Sequence, residues 1–288
     1  MVQQDRRSLG AADALTVDAV RLAIAGAGGR MGQALIEAAL ALPDVVLAAA
    51  LDIDGSPAMG HDAGERFGRA TGIMVGSDVQ SLLRGTDVLI DFTRPEGTLA
   101  HVAACAAAGV GVVVGTTGLN DAQKADLAAH ARSVPIVCAA NMSVGVVVLL
   151  SLVEQAAAKL GPGYDIEIVE MHHRHKVDAP SGTALQLGAA AASGSGRNLA
   201  DCAVYAREGH TGERAPGAIG FASLRGGDVV GEHTVVFAGT GERVELSHRA
   251  TSRQNFASGA LRAAVFIAKQ RAAGQTGLFD MQDVLGIR

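Results

Sequence analysis

One stretch near the start of the chain decides its fold: Val20-Arg21-Leu22-Ala23-Ile24-Ala25-Gly26-Ala27-Gly28-Gly29-Arg30-Met31-Gly32. It opens with a short apolar run, residues 20–25, which is typical of a strand buried in a parallel sheet. Residues 33–42 have the composition of a helix that stops before Pro43. The sequence therefore predicts a strand, a glycine-rich turn and a helix in succession.

The glycine-rich turn indicates what this unit binds. Glycines let the backbone turn tightly and approach a pyrophosphate, which the amide groups at a helix start can hold. We predict that a dinucleotide is bound by Gly26, Ala27, Gly28, Gly29, Arg30 and Met31. Glycine is also common in turns that bind nothing. The match to the usual G-x-G-x-x-G pattern is imperfect, because Met31 stands at the third glycine position and Gly32 follows it.

The alternation of strand and helix continues along the first half of the chain. Apolar runs predict further strands at residues 45–51, 88–92, 110–114 and 135–140. The segments between them predict helices at residues 96–108 and 121–131. Strands that alternate with helices imply a parallel sheet with right-handed crossovers. We therefore expect a doubly wound, Rossmann-like α/β domain.

Polar and small residues follow three of these strands, where the carboxyl ends should meet at one edge. Ligands of open α/β sheets bind at that edge, so we expect these loops to line the nicotinamide half of the site. The loops contain Arg94, Gly115, Thr116, Thr117, Ala139, Ala140, Asn141 and Met142. For each loop taken alone, ordinary turn chemistry is an alternative explanation.

Asp52 ends the second predicted strand, where an acidic residue accepts hydrogen bonds from the adenine ribose hydroxyls. A carboxylate in this place favours NADH over NADPH, because a 2′-phosphate would face a negative charge. Arg30 and Arg94 complicate the inference, since either could neutralise a phosphate. The alternative is that Asp52 is only a turn residue that ends the strand.

The sequence pattern changes after residue 143. An apolar segment predicts a helix at residues 144–160, and residues 164–168 alternate like a strand with one solvated face. The rest of this half predicts an α+β domain, with a helix at 181–192 and strands near 202–207, 217–225, 228–238 and 242–248. A last helix at 255–270 could return to the first domain. We thus expect a poorly ordered leader at 1–20, a dinucleotide-binding domain at 21–142 and 254–288, and a smaller substrate-binding domain at 143–253.

Composition excludes several classes of protein. Apolar residues make up 49% of the 288 residues, which argues against a disordered chain. The formal net charge of −5 argues against a nonspecific nucleic-acid binder, which needs a basic stripe. The apolar stretch 144–153 is too short to span a bilayer, and the first residues lack the apolar core of a signal peptide. Cys105, Cys138 and Cys202 are best explained as reduced thiols of a cytoplasmic protein.

A concentration of basic residues lies in the second half of the chain: His172, His173, Arg174, His175 and Lys176. Zinc binding by His173 and His175 is disfavoured by the adjacent cations and by the lack of a nearby cysteine, so we expect no metal. A solvated basic patch is the plainer alternative. The favoured explanation is a site for an anionic substrate, where histidine supplies a proton near neutral pH and Lys176 supplies charge or a second proton.

The next segment favours the substrate site. Ser181-Gly182-Thr183 begins the predicted helix, with a hydroxyl suited to capping it. A helix start presents unpaired amide donors and a partial positive charge, so a carboxylate can bind there. A structural cap needs no ligand, but the basic cluster just upstream points to a carboxylate pocket.

These motifs resemble the 4-hydroxy-tetrahydrodipicolinate reductase family, historically called dihydrodipicolinate reductase, of the diaminopimelate–lysine pathway. The resemblance covers nearly everything after about residue 20. Its most specific part is Glu170-Met171-His172-His173-Arg174-His175-Lys176-Val177-Asp178-Ala179-Pro180-Ser181-Gly182-Thr183-Ala184. Other matching stretches are residues 26–32, 91–98, 115–118, 205–212 and 231–234.

The resemblance implies hydride transfer from NADH or NADPH to C4 of the ring of a small dicarboxylate, giving tetrahydrodipicolinate. It also implies a cytoplasmic homotetramer whose second domain forms the assembly surface. By position, His172 would be the proton donor and Lys176 a second donor or a stabiliser of negative charge. The two substrate carboxylates would be held by His173, Lys176, Ser181, Gly182 and Thr183. Ile53 stands where the family often has arginine, which argues against a strong NADPH preference.

Two rival functions stay open on the sequence. One is a reductase of the same plan that acts on an amino or keto dicarboxylic acid. The other is a noncatalytic dinucleotide sensor, although a sensor has no need for a proton donor beside a carboxylate pocket.

Overall fold

The computed structural model describes residues 19–287, which form two sheets flanked by helices. The predicted leader lies outside the described residues except for its last two positions, and Val20 already belongs to the first strand. The strands of the described chain are β1 (Val20–Ala25), β2 (Val45–Leu51), β3 (Val75–Gly76), β4 (Val88–Asp91), β5 (Gly111–Val114), β6 (Pro135–Cys138), β7 (Asp165–His172), β8 (Ala203–Val204), β9 (Ile219–Arg225), β10 (Gly231–Ala238), β11 (Arg243–Ala250) and β12 (Gly277–Phe279). Its α-helices are α1 (Arg30–Ala41), α2 (Val79–Leu82), α3 (Pro95–Ala108), α4 (Asp121–His130), α5 (Val144–Leu160), α6 (Gly182–Gly194), α7 (Leu199–Cys202), α8 (Gln254–Ala272) and α9 (Met281–Leu285).

The first sheet is parallel throughout and has the strand order β3-β2-β1-β4-β5-β6-β12. Every residue of β4 and β5 is buried, which explains their continuous apolar runs. The chain order reverses between β1 and β4, and ligands bind beyond the carboxyl ends of the strands at such a switch point. The sheet therefore places the loops after β1, β4 and β5 at one edge.

Helices cover both faces of this sheet. On one face, Leu35 of α1 belongs to the same core as Ile267 of α8. On the other face, Val102 of α3 and Leu127 of α4 form a second core. The chain thus returns to the first sheet through α8, and β12 then pairs with β6.

The second sheet is mixed and has the order β11-β10-β7-β9-β8. Strand β7 is antiparallel to β10 and parallel to β9. Helices α5 and α6 pack on its inner face, where Ile168, Leu187, Val235 and Phe237 are buried. The predicted fold class, a Rossmann-like parallel sheet with a smaller α+β part, is confirmed.

Several predicted elements differ in their limits, and three of the differences have a clear physical cause. The strand predicted near 202–207 is wrong for most of its length: helix α7 ends at Cys202, and β8 is short because it pairs only with Ile219 and Gly220 at the sheet edge. Strand β7 runs beyond residue 168 to His172 because β9 pairs with it that far. Helix α1 begins at Arg30 rather than residue 33, so the end of the predicted glycine turn lies in its first helical turn.

Helix α5 and the 3₁₀ turn after it, Val144–Gly163, are long and apolar enough to cross a membrane by length and composition alone. This is weak evidence, because the core helix of a water-soluble protein passes the same test. One face of α5 carries buried residues such as Val146 and Val153, while Val148 and Leu152 are exposed. The helix is therefore built into the fold through one face.

Candidate active site

The glycine-rich turn follows β1, and two of its glycines are required by the backbone. Gly26 has a φ of 71°, in the left-handed region. A Cβ at Gly32 would overlap the carbonyl oxygen of Gly26 and lie 2.8 Å from the Cα of Ala27. Gly32 thus lets α1 pack closely against the turn after β1. The third glycine of the usual G-x-G-x-x-G pattern has this role, and here it lies one position later.

The start of α1 offers amide donors to an anion. Its N-cap, Gly29, provides no side-chain acceptor, and the amide of Gln33 donates to the Gly29 carbonyl at 2.9 Å. Within residues 19–287, the amides of Arg30, Met31 and Gly32 have no hydrogen-bond acceptor. A pyrophosphate fits this arrangement, since it would accept hydrogen bonds that the helix itself leaves unmade.

Asp52 follows β2 and anchors the glycine turn. Its Oδ2 accepts hydrogen bonds from the Gly28 amide at 2.7 Å and the Ser56 hydroxyl at 3.0 Å. Its Oδ1 accepts from the amide of Ile53 at 2.8 Å. The carboxylate lines a cavity of about 750 Å³ that also reaches Arg94 after β4. This cavity joins two of the loops that an extended dinucleotide has to contact.

A buried carboxylate fixes two of the predicted cofactor loops, and sequence reasoning missed it. Asp91 ends β4, and its Oδ1 accepts from the hydroxyls of Thr93 at 2.7 Å, Thr98 at 3.1 Å and Thr116 at 3.2 Å. His101 Nδ1 lies 2.7 Å from Oδ2. Burial would raise the pKa of Asp91, but the hydrogen bonds from His101 and Thr93 hold it below its ordinary value. The loops after β4 and β5 are therefore tied to one ionised group.

The loop after β6 connects the two halves of the site. Asn141 donates from Nδ2 to the hydroxyl of Thr183 at 3.1 Å, and its Oδ1 accepts from the Ser143 amide at 2.9 Å. Thr183 lies in the first turn of α6, so a loop predicted to hold the cofactor contacts a segment predicted to hold substrate. Met142 is 1% exposed and packs in the core, which leaves only its backbone for a ligand.

The structure divides the basic cluster into a buried and a solvated part. The His172 side chain at the end of β7 is 12% exposed, whereas Arg174 and His175 are exposed in the turn that follows. Lys176 Nζ donates to both oxygens of Asp178, at 2.8 and 2.9 Å. Among residues 19–287, no group of three or more His, Cys, Asp or Glu side chains is arranged to hold a metal ion. A solvated patch therefore describes Arg174 and His175 but not His172.

His172 belongs to a network centred on Glu170, which is 1% exposed. Oε2 of Glu170 lies 2.6 Å from His172 Nδ1, and Arg225 of β9 donates to both carboxylate oxygens, at 2.8 and 2.9 Å. The Ser181 amide donates to Oε1 at 3.2 Å. Burial would raise the pKa of Glu170, but hydrogen bonds from Arg225, His172 and Ser223 lower it to about 2. The carboxylate is thus ionised at neutral pH and accepts all of these bonds.

The start of α6 is held beside this network. Ser181 caps the helix, and its hydroxyl also lies 2.9 Å from Nε2 of His233. The His233 ring is buried and packs edge-on against His172, with ring centroids 5.1 Å apart. Within residues 19–287 the amides of Gly182 and Thr183 have no acceptor, and a Cβ at Gly182 would meet open space. This helix start can therefore bind a carboxylate.

The imidazole of His172 has one nitrogen free to exchange a proton. Because ionised Glu170 can only accept, Nδ1 carries the proton of the neutral ring and Nε2 is left for a second proton. Burial lowers the pKa of His172, and the bond to Glu170 opposes this only in part. Burial also lowers the pKa of His233 to about 4, so that ring is neutral. The site combines a titratable imidazole with an anion-binding helix start.

A Rossmann-like sheet with a free helix start, next to such a site, defines a nicotinamide-dependent oxidoreductase. Family models agree over both halves of the chain. Residues 20–142 match the N-terminus of dihydrodipicolinate reductase, and residues 145–285 match its C-terminus. The chain belongs to the dihydrodipicolinate reductase family.

Relatives match over nearly the whole chain. A 4-hydroxy-tetrahydrodipicolinate reductase of Cupriavidus necator is 61% identical over 269 residues, which are 93% of this chain and 100% of the relative. One from Burkholderia pseudomallei strain K96243 is 56% identical over 272 residues, 94% of this chain and 100% of the relative. The resemblance identified from the motifs is thereby confirmed.

Solved structures show the same architecture. A dipicolinate-bound dihydrodipicolinate reductase from Paenisporosarcina sp. TG-14 has a TM-score of 0.70 at 27% identity, covering 92% of this chain and 98% of that one. GenD2 from gentamicin A biosynthesis, in complex with NAD, has a TM-score of 0.59 at 18% identity, covering 97% and 94%. The second likeness shows a shared fold only.

Proposed function

We propose that this chain reduces 4-hydroxy-tetrahydrodipicolinate, by way of dihydrodipicolinate, to tetrahydrodipicolinate with NAD(P)H in lysine and diaminopimelate biosynthesis. One observation carries the proposal. Glu170 bonds both to His172, the predicted proton donor, and to Ser181, where the predicted carboxylate site begins. Family membership and the curated relatives support the same activity.

The nicotinamide cofactor fits the edge of the first sheet. The free amides at the start of α1 would hold its pyrophosphate, and the cavity beside Asp52 would hold its adenosine half. The residues proposed for cofactor binding are Gly26, Ala27, Gly28, Gly29, Arg30, Met31, Asp52, Arg94, Gly115, Thr116, Thr117, Ala139, Ala140, Asn141 and Met142. When bound, the cofactor supplies the hydride, and the chain supplies orientation and electrostatics.

The substrate dianion would lie between α6 and the turn after β7. The amides of Gly182 and Thr183 would bind one carboxylate, and His173 and Lys176 would bind the other. Two negative charges close to His172 would oppose the lowering of its pKa by burial, so Nε2 would take up a proton when substrate is bound. His172 can then donate that proton as the ring is reduced, while Lys176 stabilises developing negative charge.

NADH is the proposed cofactor in preference to NADPH. Asp52 and Asp54 both line the cavity beside the glycine turn, and Ile53 between them is 77% exposed and uncharged. A 2′-phosphate would be repelled by these carboxylates, whereas ribose hydroxyls could donate to them. Arg94 lines the same cavity and would reduce the discrimination.

The domain limits and the assembly also belong to the proposal. We assign dinucleotide binding to residues 21–142 and 254–288, and substrate binding and tetramer formation to residues 143–253. The outer face of the second sheet supports an interface there, because it carries half-buried Val169, Met171 and Val236 and exposed Leu224. Light scattering should give about four times the 29.2 kDa mass of one chain. A cytoplasmic location, without nucleic-acid or membrane partners, completes the proposal.

Oxidation of NADH, followed by absorbance with freshly generated 4-hydroxy-tetrahydrodipicolinate, tests the activity. We expect turnover with this compound and none with amino or keto dicarboxylic acids. NADH binding without turnover of any of them would refute the proposal and favour a sensor.

Two substitutions test the assigned roles. His172→Gln and Lys176→Ala should each lower turnover by about 100-fold or more, because positioned proton donors contribute that much. NADH affinity should stay nearly unchanged, since both residues lie on the substrate side. His175→Gln is the matched control, because this exposed ring lies in the same turn. A loss of NADH affinity as large as the loss of turnover would show that His172 and Lys176 act in cofactor binding and not on the substrate.

A further inference from the structure

The carboxylate of Glu170 is shared by partners on three elements. Its Oε2 faces His172 Nδ1 at 2.6 Å and Arg225 Nη1 at 2.9 Å. Its Oε1 accepts from Arg225 Nη2 at 2.8 Å and from the Ser181 amide at 3.2 Å. A side chain that is 1% exposed and bonded on both oxygens has little freedom to move. It fixes β7, β9 and the start of α6 relative to one another.

A second path closes the network into a ring. The Ser181 hydroxyl lies 2.9 Å from Nε2 of His233, whose ring packs edge-on against His172. Within residues 19–287, Nδ1 of His233 is buried without a hydrogen-bond partner. His172 is therefore held by Glu170 on one side and by His233 on another, and both of these contact Ser181.

Stability alone does not explain a carboxylate at this position. The inner face of β7 carries Ile166, Ile168 and then Glu170, so the glutamate extends an apolar row with a buried charge. Burying a charge is costly even when it is paired, and apolar side chains of similar volume often serve stability as well. A functional reason for Glu170 is therefore favoured.

We propose that Glu170 is a positioning residue that couples proton donation by His172 to carboxylate binding at the start of α6. It holds the imidazole as the Nδ1-protonated tautomer, with Nε2 free for the exchangeable proton. Through Ser181 it fixes the amides of Gly182 and Thr183 relative to that imidazole. Both groups then act on the same bound dianion. This inference rests on the proposed function.

Arg225 belongs to the same hydrogen-bond network. It keeps the carboxylate ionised and in one orientation by donating to both oxygens. Its Nη2 also donates to the carbonyl of Asp178 at 2.7 Å, and Asp178 is the ion-pair partner of Lys176. Arg225 thus also holds the turn after β7, which carries Lys176.

Glu170→Gln in the full-length protein tests the proposal, because it preserves shape and removes the charge. We expect kcat to fall at least about 10-fold, as for other groups that orient a catalytic histidine. The substrate KM should rise and the NADH KM should not change. Asp87→Asn is the control: Asp87 is a carboxylate bonded by two arginines, and it directly precedes β4, at the end of that strand away from the site. Its kcat should equal that of the wild type.

The pH profile gives a readout that a merely structural role would not move. Charged or titratable groups face His172 from each element packed against it: Glu170 on β7, Lys176 in the next turn, Arg225 on β9 and His233 on β10. Of these groups, only Glu170 raises the pKa of His172, because it is the one negative charge. Removing the charge of Glu170 should therefore lower the pKa of His172. A proton donor loses activity as pH rises above its pKa. We therefore expect that loss at lower pH in Glu170→Gln than in the wild type.

The ¹⁵N chemical shifts of the imidazole report the tautomer without any turnover. The His172 signals are identified by their absence in His172→Gln, and the wild type should show a protonated Nδ1. Loss of that state in Glu170→Gln supports the proposal; an unchanged tautomer with unchanged kcat and pH profile overturns it. If Glu170→Gln does not fold, Glu170→Asp gives the same readouts, because the shorter side chain withdraws the carboxylate from His172 Nδ1. A wild-type protein that fails to turn over the substrate would refute the proposed function, while the tautomer still decides this inference.

Discussion

Glu170 makes the unfolding free energy of this protein depend on pH. Its pKa falls from 4.5 to about 2 in the folded protein, through Arg225, His172 and Ser223 and against the effect of burial. A difference of about 2.5 in pKa corresponds to about 3 kcal/mol of unfolding free energy. Because the folded-state pKa is the lower one, this contribution is complete above pH 4.5 and is lost as pH falls towards 2.

Glu170→Gln is the perturbation, since the amide mimics the protonated acid. Unfolding free energies of both proteins would be measured with urea at fixed protein concentration, from neutral pH down to about pH 3. At neutral pH the wild type should be more stable by about 3 kcal/mol. The difference should shrink as pH falls below 4.5. A difference that stays constant with pH would refute an ionised, paired Glu170.

Two further predictions concern the cofactor. Gly32→Ala should weaken NADH binding by about 10-fold or more, near 1.4 kcal/mol, because its Cβ would overlap the turn at Gly26. Gly163→Ala is the control, since a Cβ there meets open space, and equal affinities in a fluorescence titration would contradict the packing role. Asp52→Ala should weaken NADH more than NADPH, by about 10-fold in the ratio of dissociation constants. An unchanged ratio would remove Asp52 from the ribose contact.

The elements that could be predicted are long and have clear boundaries. Strand Val45–Leu51 and helix Val144–Leu160 have the predicted limits, because Pro43 precedes one and Gly161-Pro162 follows the other. The elements that were missed are short and depend on distant partners. Strand β3 has two residues that pair with β2, and β12 pairs with β6 from the far end of the sequence. Such strands exist through tertiary pairing, which leaves no periodic pattern.

The candidate site was predictable where a single motif carries it. His172 and Ser181 lie in one stretch, and the residue types alone suggested a proton donor and a capped helix. Glu170 lies in the same stretch. Its role could have been inferred because a carboxylate occupies an inward position of an alternating strand. Arg225 follows 55 residues later, and only the pairing of β7 with β9 brings it to Glu170. Strand register is a property of the folded sheet.

The proposed hydride transfer is tested most directly with NADH deuterated at both positions of nicotinamide C4. The wild-type protein would be mixed with this cofactor and freshly generated 4-hydroxy-tetrahydrodipicolinate, and the product examined by mass spectrometry and NMR. We predict tetrahydrodipicolinate carrying one deuterium, at C4 of the ring. Product without deuterium at C4, or NADH oxidised with no reduced product, would contradict direct transfer between the two halves of this site.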